Sequence, residues 1–367
     1  MTIFVNINFV KMKTLAQILQ DAREQKSLTL KEAVMRTGVD AGLISKIERG
    51  KRFPSEGNLK AFSEAYELRL DALKKQWLVE KVFNLVQYEE QASEILALAE
   101  SRVEYLAGAK ALEFSKLSAS VLAKLKEVDQ LQVQWQQKRP LIGTQLQKMQ
   151  EYFHVAYTYE SNRIEGNTLS LQETHLVINE GITIGGKSMK EHLEAINHAE
   201  AVDFVEELVK GGVDFNARTL MELHYLVLKG IDRENAGKFR SVPVRISGSE
   251  HMPPQPYLLG KMMEDYFIHY NSHKTSLHPV ILAAEMHERL VSVHPFVDGN
   301  GRTSRLVMNL ILVSHGFTLA NLKGDNTSRL AYYKALESVQ VNNDPAPFYE
   351  LVIDAVKDSL QQHLDLV

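Results

Sequence analysis

The densest run of reactive side chains is Val293–Arg305, VHPFVDGNGRTSR. It holds one imidazole, one carboxylate, an asparagine between two glycines, and two arginines. His294 is available as a general base for an incoming hydroxyl. Asp298 supplies the lone carboxylate that Mg2+ commonly takes from a protein when phosphate oxygens provide other ligands. Gly299 and Gly301 flank Asn300 and permit a tight loop with close backbone approach to a ligand. Leu306, Val307, Leu310 and Ile311 then mark the apolar face of a helix whose N-terminal N–H groups and dipole favour anions. Arg302 and Arg305, three apart, are expected to project together from its first turn, where two guanidinium forks suit a polyphosphate. Pro295 is expected to hold His294 extended. One His or one Arg alone would read as structure. The whole cluster reads as a nucleotide-phosphate site with a base, for phosphoryl or nucleotidyl transfer.

Two other patterns suggest chemistry and fail on context. Gly181–Ser188, GITIGGKS, fits the phosphate-loop pattern G-x-x-x-x-G-K-[S/T], which needs a strand before it and a helix after it. What precedes is SLQETHLVINEG, where Ser170 and Glu173 form a capping box and Gly181 ends a helix, so the segment reads as a linker between helices. His287-Glu288 lacks the second histidine of an HExxH zinc site. The chain has no cysteine, which excludes disulfides, thiol nucleophiles and Cys-based metal sites. Nothing approaches the roughly 18 consecutive apolar residues that span a bilayer. The start, MTIFVNINFVKMK, lacks the basic region and cleavage site of a signal peptide, with Met12 an alternative start and 1–11 a dispensable extension. A cytoplasmic location and no membrane partner are expected.

The elements that must position the loop are mostly helical. At 367 residues, 44% hydrophobic and 24% charged, the chain can bury a sizeable core in two or three domains. Its net charge of −4 is uneven. Residues 1–73 carry 12 Lys and Arg against 9 Asp and Glu, 74–150 carry 11 against 9, and 151–367 carry 19 against 28. A mildly basic front and an acidic body suggest different partners. The stretch 74–140 has helical spacing and predicts a connector that packs as a hairpin or pairs with a second subunit to give a homodimer. Pro140 marks the boundary to a body spanning 141–367. Within the body, SVPVRISGSEHMPPQPY alternates Val242, Val244 and Ile246 before a Gly248-Ser249 turn, which predicts a short hairpin.

In the front module, 1–73, Thr29 and Glu32 form a capping box, Gly38 ends that helix, and Asp40 caps the next. Leu43, Ile44 and Ile47 face inward, leaving Ser45, Lys46 and Arg49 outward, with Lys51 and Arg52 just beyond to meet phosphates. A helical bundle used for dimerisation or partner binding is the other reading. ISKIERGKRFPS with its following amphipathic helix resembles the repressor-like helix-turn-helix family of XRE type. That implies a DNA partner, although Lys31 and Ala41-Gly42 stand where the family often has Gln.

HPFVDGNGRTSR resembles the Fic-family signature, His-x-Phe-x-[Asp/Glu]-Gly-Asn-Gly-Arg-x-x-Arg, with every defined position filled. Similarity to that family runs over roughly 141–355. The implied architecture is mainly α: a Fic-type helical domain with a β-hairpin flap, preceded by a helix-turn-helix domain and a helical connector. The implied activity is transfer of AMP from ATP to a protein Ser, Thr or Tyr hydroxyl. By matching position, His294 would deprotonate that hydroxyl, and Asp298 would hold Mg2+ against the α- and β-phosphates. Asn300, with the backbone at Gly299 and Gly301, would stabilise the α-phosphate. Arg302 and Arg305 would grip the β- and γ-phosphates, and Phe296 would be a buried anchor. The hairpin, GKFRSVPVRISGSEHMPPQPY, is similar to the family's flap, in which Val242, Val244 and Ile246 would dock a target segment. Tyr332 and Tyr333 either line the adenine pocket or belong to the core. SNRIEGN resembles the family's inhibitory pattern, through Ser161, Glu165 and Gly166 on a helix near 157–166, and implies that Glu165 pairs with Arg305. Removal of AMP, transfer of another nucleotide or a phosphate, and a DNA-binding or toxin–antitoxin-like regulator with this domain as effector are the alternatives.

Overall fold

The computed structural model describes residues 13–97, 99–100, 117–138 and 144–367. The expected boundary at Pro140 and the segment 1–11 lie outside them. Two compact units divide the chain, 1–103 and 104–367.

The first unit packs α1 (Leu15–Gln25), α2 (Leu30–Thr37), α3 (Ala41–Glu48), α4 (Glu56–Tyr66) and α5 (Leu70–Val86). The caps follow the sequence. Thr29 and Glu32 close a capping box, Gly38 takes the left-handed conformation at φ 67°, and Asp40 accepts from the Leu43 N–H. Ile44 and Ile47 of α3 join Leu15, Leu19, Ala33, Leu59 and Phe62 in one core. Arg23 clamps α3 from behind with two bonds to the Glu48 carboxylate, at 2.8 and 2.9 Å. Thr29→Ala should remove about 1 kcal/mol of this unit's stability. A urea titration reading the unit's own transition checks it; an unmoved midpoint would show that the cap contributes nothing.

The described helices of the stretch 74–140 pack on different cores. Leu73 is buried in the first unit's core and Trp77 packs on it, donating Nε1–H to the Pro54 carbonyl at 2.9 Å. α6 (Ala119–Gln137) instead belongs to the second unit, where Val121, Leu125, Val128 and Trp135 enter the core. The amphipathic pattern is the same in both helices, so spacing alone could not show which core each one covers.

The second unit continues with α7 (Thr144–Ile164), α8 (Leu171–Glu180), α9 (Met189–Lys210), α10 (Ala217–Leu228), α11 (Leu259–His273) and α12 (Pro279–Val293). α13 (Asn300–Ser314), α14 (Asn326–Asn342) and α15 (Ala346–Asp365) complete it. α12 and α13 are the central pair. α13 is buried all round rather than on one face: Leu306, Val307, Met308 and Leu312 are all fully enclosed. It rests against α7, α9, α10 and α12, which together fix the helix that carries the loop. GITIGGKS lies between α8 and α9; Ser170 and Glu173 form the expected capping box and Gly181 ends α8 in the left-handed conformation.

Among the described residues there is no strand, so the expected hairpin is not formed. Residues 229–255 run without a helix or strand between α10 and a short 3-10 turn, Pro256–Leu258, that leads into α11. Pro243, Pro253 and Pro254 remove N–H donors that a ladder would need. The Arg240 guanidinium takes up carbonyls from both arms instead, Val242 O at 3.0 Å and Pro254 O at 2.6 Å.

Candidate active site

His294 closes α12. Its N–H bonds the Leu290 carbonyl at 2.9 Å, and its backbone is left-handed, φ 48° and ψ 56°, not extended. The helix C-cap, which favours this conformation, overrides the expected effect of Pro295. Nδ1–H donates to the Val291 carbonyl at 3.2 Å, which leaves the Nε2 lone pair as the acceptor. Burial lowers the His294 pKa to about 4, so the ring is a neutral base at pH 7.

The loop that follows is braced from within and from beneath. Asn300 uses both ends of its amide on Phe296: Oδ1 accepts from the Phe296 N–H at 3.0 Å, and Nδ2 donates to the Phe296 carbonyl at 2.9 Å. Its side chain thus ties the loop from within. Phe296 is fully buried, as expected, and stacks on His224 with ring centres 3.6 Å apart. His224 accepts from the Gly237 N–H at Nδ1 and donates Nε2–H to the Asp298 carbonyl at 2.9 Å. Sequence reading gave His224 no role; it lies 74 residues before Asp298 and signals nothing by spacing. Gly299 enters α13 at φ 79°, a conformation that penalises any Cβ.

Three buried histidines resist protonation in the same way as His294. Burial lowers His224 to about 4 as well, and holds His198 and His287 well below the ordinary value. An unfolded chain protonates these rings near pH 6.5 and the folded chain does not. Their contribution to stability is full above that value and is lost as pH falls toward 4. The unfolding free energy from urea titrations should drop between pH 7 and pH 4.5, by about 1.4 kcal/mol per pH unit for each ring protonated in the unfolded state alone; an unchanged value would refute the assignment.

The two arginines diverge. Arg302 turns toward α9, 3.2 Å from the Glu194 carboxylate and 3.3 Å from Asp298. Its Nε and Nη1 lack a well-aligned hydrogen-bond acceptor although buried; the Glu194 approach is close but poorly directed. Glu194 escaped the sequence reading; an acid on an otherwise buried stretch of α9 was the available signal. Arg305 turns toward α7. Its Nε donates to Ser161 Oγ and its Nη2 to the Ser161 carbonyl, both at 2.9 Å, and Nη2 also meets Glu165 Oε1 at 2.7 Å. Burial opposes the Arg305 charge, and the Glu165 carboxylate outweighs it, so the group is raised above its ordinary value.

α7 ends at Ile164, and Gly166 turns the chain away at φ 98°. Glu165 thus sits just past the helix end, with its carboxylate over Gly301 in the first turn of α13; a Cβ at Gly301 would overlap it. α14 and the loop before it latch this end of α7. The Gly324 N–H bonds Glu160 Oε2 at 2.7 Å, and Tyr333 OH bonds the Ile164 carbonyl at 3.1 Å. Tyr332 is buried between Arg305 and His287, its hydroxyl 3.2 Å from His287 Nε2. It is a core residue, as one of the two readings had it.

Asp298 is half exposed, and its Oδ1 accepts from the Gly299 N–H at 2.6 Å. Among the described residues no three His, Asp or Glu gather to hold a metal. A single carboxylate is what an ion of Mg2+ type takes from a protein when phosphate oxygens and waters supply its other ligands.

The body is helical, with His294 at the end of α12 and the start of α13 six residues on. Residues 214–312 match the Fic/DOC family, and residues 14–76 match a helix-turn-helix domain. The chain carries a Fic domain and, ahead of it, a helix-turn-helix domain. Protein adenylyltransferase Fic of Drosophila melanogaster is 35% identical over 218 residues, 59% of this chain and 43% of that protein. The Drosophila virilis protein of the same name is equally similar over 44% of its length. The chain thus matches less than half the length of these relatives. Among solved structures, a Fic-domain signaling protein from Bacteroides thetaiotaomicron is 26% identical with a TM-score of 0.60, covering 65% of this chain and 97% of that one. Fic-1 from C. elegans is 25% identical with a TM-score of 0.59, covering 96% and 97%. Among the described residues no helix is long and apolar enough to cross a membrane.

Proposed function

We propose that the body transfers AMP from ATP to a Ser, Thr or Tyr hydroxyl of a protein, itself included, and that Glu165 restrains this activity. One observation carries the reading: the Glu165 carboxylate sits at the start of α13, against Gly301 and paired with Arg305, in a place built for an anion. With Glu165 withdrawn, Arg305 keeps its Ser161 anchor and gains a free N–H for the γ-phosphate. The N–H groups of the first turn of α13 receive the α-phosphate, since Asn300 serves the loop. His294 Nε2 takes the proton as the hydroxyl oxygen attacks the α-phosphorus. The bond to pyrophosphate breaks, and pyrophosphate leaves. Asp298 would hold Mg2+, whose charge offsets that of the phosphates. The segment 242–246, with Val242 exposed, is where a target segment would dock by backbone pairing.

Labelled ATP tests the reaction. Protein should take up label from ATP marked on the α-phosphate and none from ATP marked on the γ-phosphate; the reverse pattern would mean phosphate transfer. Incubating an AMPylated target without ATP separates AMP removal, in which Glu165 would orient water.

The N-terminal unit is proposed to bind DNA. Lys46, Arg49 and Arg52 are exposed on and just after α3, although Arg49 also folds back onto Ser45 Oγ. A DNA mobility shift that weakens with salt and is lost on Lys46→Ala with Arg49→Ala supports this; a shift indifferent to both removes it. The proposed homodimer is read by light scattering of the full chain.

A further inference from the structure

Arg240 is buried, 3% exposed, yet no carboxylate pairs with it among the described residues. All its contacts are carbonyls. Nε donates to His294 O at 2.8 Å, Nη1 to Val242 O at 3.0 Å, and Nη2 to Pro254 O at 2.6 Å. Its own N–H bonds the Pro295 carbonyl at 2.9 Å. Desolvating a cation without a counter-ion is costly, and an apolar side chain would fill the same space more cheaply. What the guanidinium provides is direction, because its planar fork reaches three separate carbonyls at once. Those carbonyls belong to the base-bearing backbone and to both arms of the segment that lies over it. His251 adds a weaker tie from the same segment, Nε2 to the Ser292 carbonyl at 2.8 Å.

We propose that Arg240 is a positioning residue that keeps the segment 242–254 in register with His294, so that a hydroxyl docked on that segment meets Nε2. The proposal rests on the AMP-transfer reading above. It concerns the acceptor side of the reaction and leaves the phosphate-binding turn of α13 untouched.

Two variants in the Glu165→Gly background test it. Arg240→Gln removes the charge and most of the fork. Arg240→Lys keeps a buried cation of similar length but has only one point of donation. At saturating ATP, the rate of self-labelling should fall tenfold or more in Arg240→Gln and several-fold in Arg240→Lys. The Kd for ATP, read by calorimetry, should stay within about twofold in both. Labelling within twofold of the parent, or ATP affinity falling as far as the rate, overturns the proposal. If Arg240→Gln does not fold, Arg240→Lys decides alone. Backbone hydrogen exchange gives a readout without catalysis: segments 242–255 and 295–299 should lose protection together in Arg240→Lys. Loss in one segment only would refute the coupling. A Glu165→Gly parent that never labels would instead refute the reading of the site, and the exchange result would still decide this one.

Discussion

Replacing Glu165 by Gly is expected to raise AMP incorporation from ATP by about 10- to 100-fold. The estimate follows from one charged hydrogen bond. With the carboxylate gone, Arg305 Nη2 is released from its 2.7 Å partner and can meet the γ-phosphate, an interaction worth about 1.5–3 kcal/mol. Each 1.4 kcal/mol or so is a factor of ten in rate when it aligns the reacting phosphate. Arg305 does not collapse, because Ser161 still offers its hydroxyl and its carbonyl. Stability should therefore fall by only about 1–2 kcal/mol, less than for a fully buried pair, since Glu165 is about a third exposed. Glu165→Gln is the informative companion. It keeps the shape over Gly301 and loses the charge, so a partial gain separates pairing from simple occlusion. A Glu165→Gly protein that labels no faster than wild type would remove the restraint.

His294→Ala is expected to lower the rate of the activated protein by about 100- to 10,000-fold, the usual contribution of a positioned base. The site is set up for this role before any substrate arrives: Nδ1 is committed to Val291, Nε2 is the free lone pair, and burial keeps the ring neutral. Affinity for ATP should hardly change, since no phosphate contact is assigned to the imidazole. Rates that persist without His294 would mean that water or another group takes the proton.

The chemistry was legible where it is contiguous. VHPFVDGNGRTSR puts the proposed base, the loop and the helix start in one short run, and the caps at Thr29, Asp40 and Ser170 stand where the sequence places them. The pairing of Arg305 with Ser161 and Glu165, 144 and 140 residues apart, agrees with the family resemblance. What was not legible depends on packing. Arg302 and Arg305 do share a turn, but α13 is enclosed on every side, so each meets a different neighbour. His224, Glu194 and Arg240 are distant in sequence from the loop they support, and no spacing rule connects them. Alternation at Val242, Val244 and Ile246 predicts a strand, yet a strand needs a partner backbone with donors, and prolines and Arg240 take that option away. Tyr332 and Tyr333 are adjacent letters about 100° apart on α14, which puts one in the core and the other on the end of α7.

The central claim is that this site moves AMP, and that Glu165 keeps it from doing so. Intact-mass spectrometry after incubation with ATP and Mg2+ addresses both halves in one measurement, using wild type, Glu165→Gly, and Glu165→Gly with His294→Ala. An adduct of one or more AMP groups is expected on Glu165→Gly, far less on wild type, and none on the double variant. An adduct of phosphate size, an equal AMP adduct on wild type, or an unmodified Glu165→Gly chain would contradict the claim.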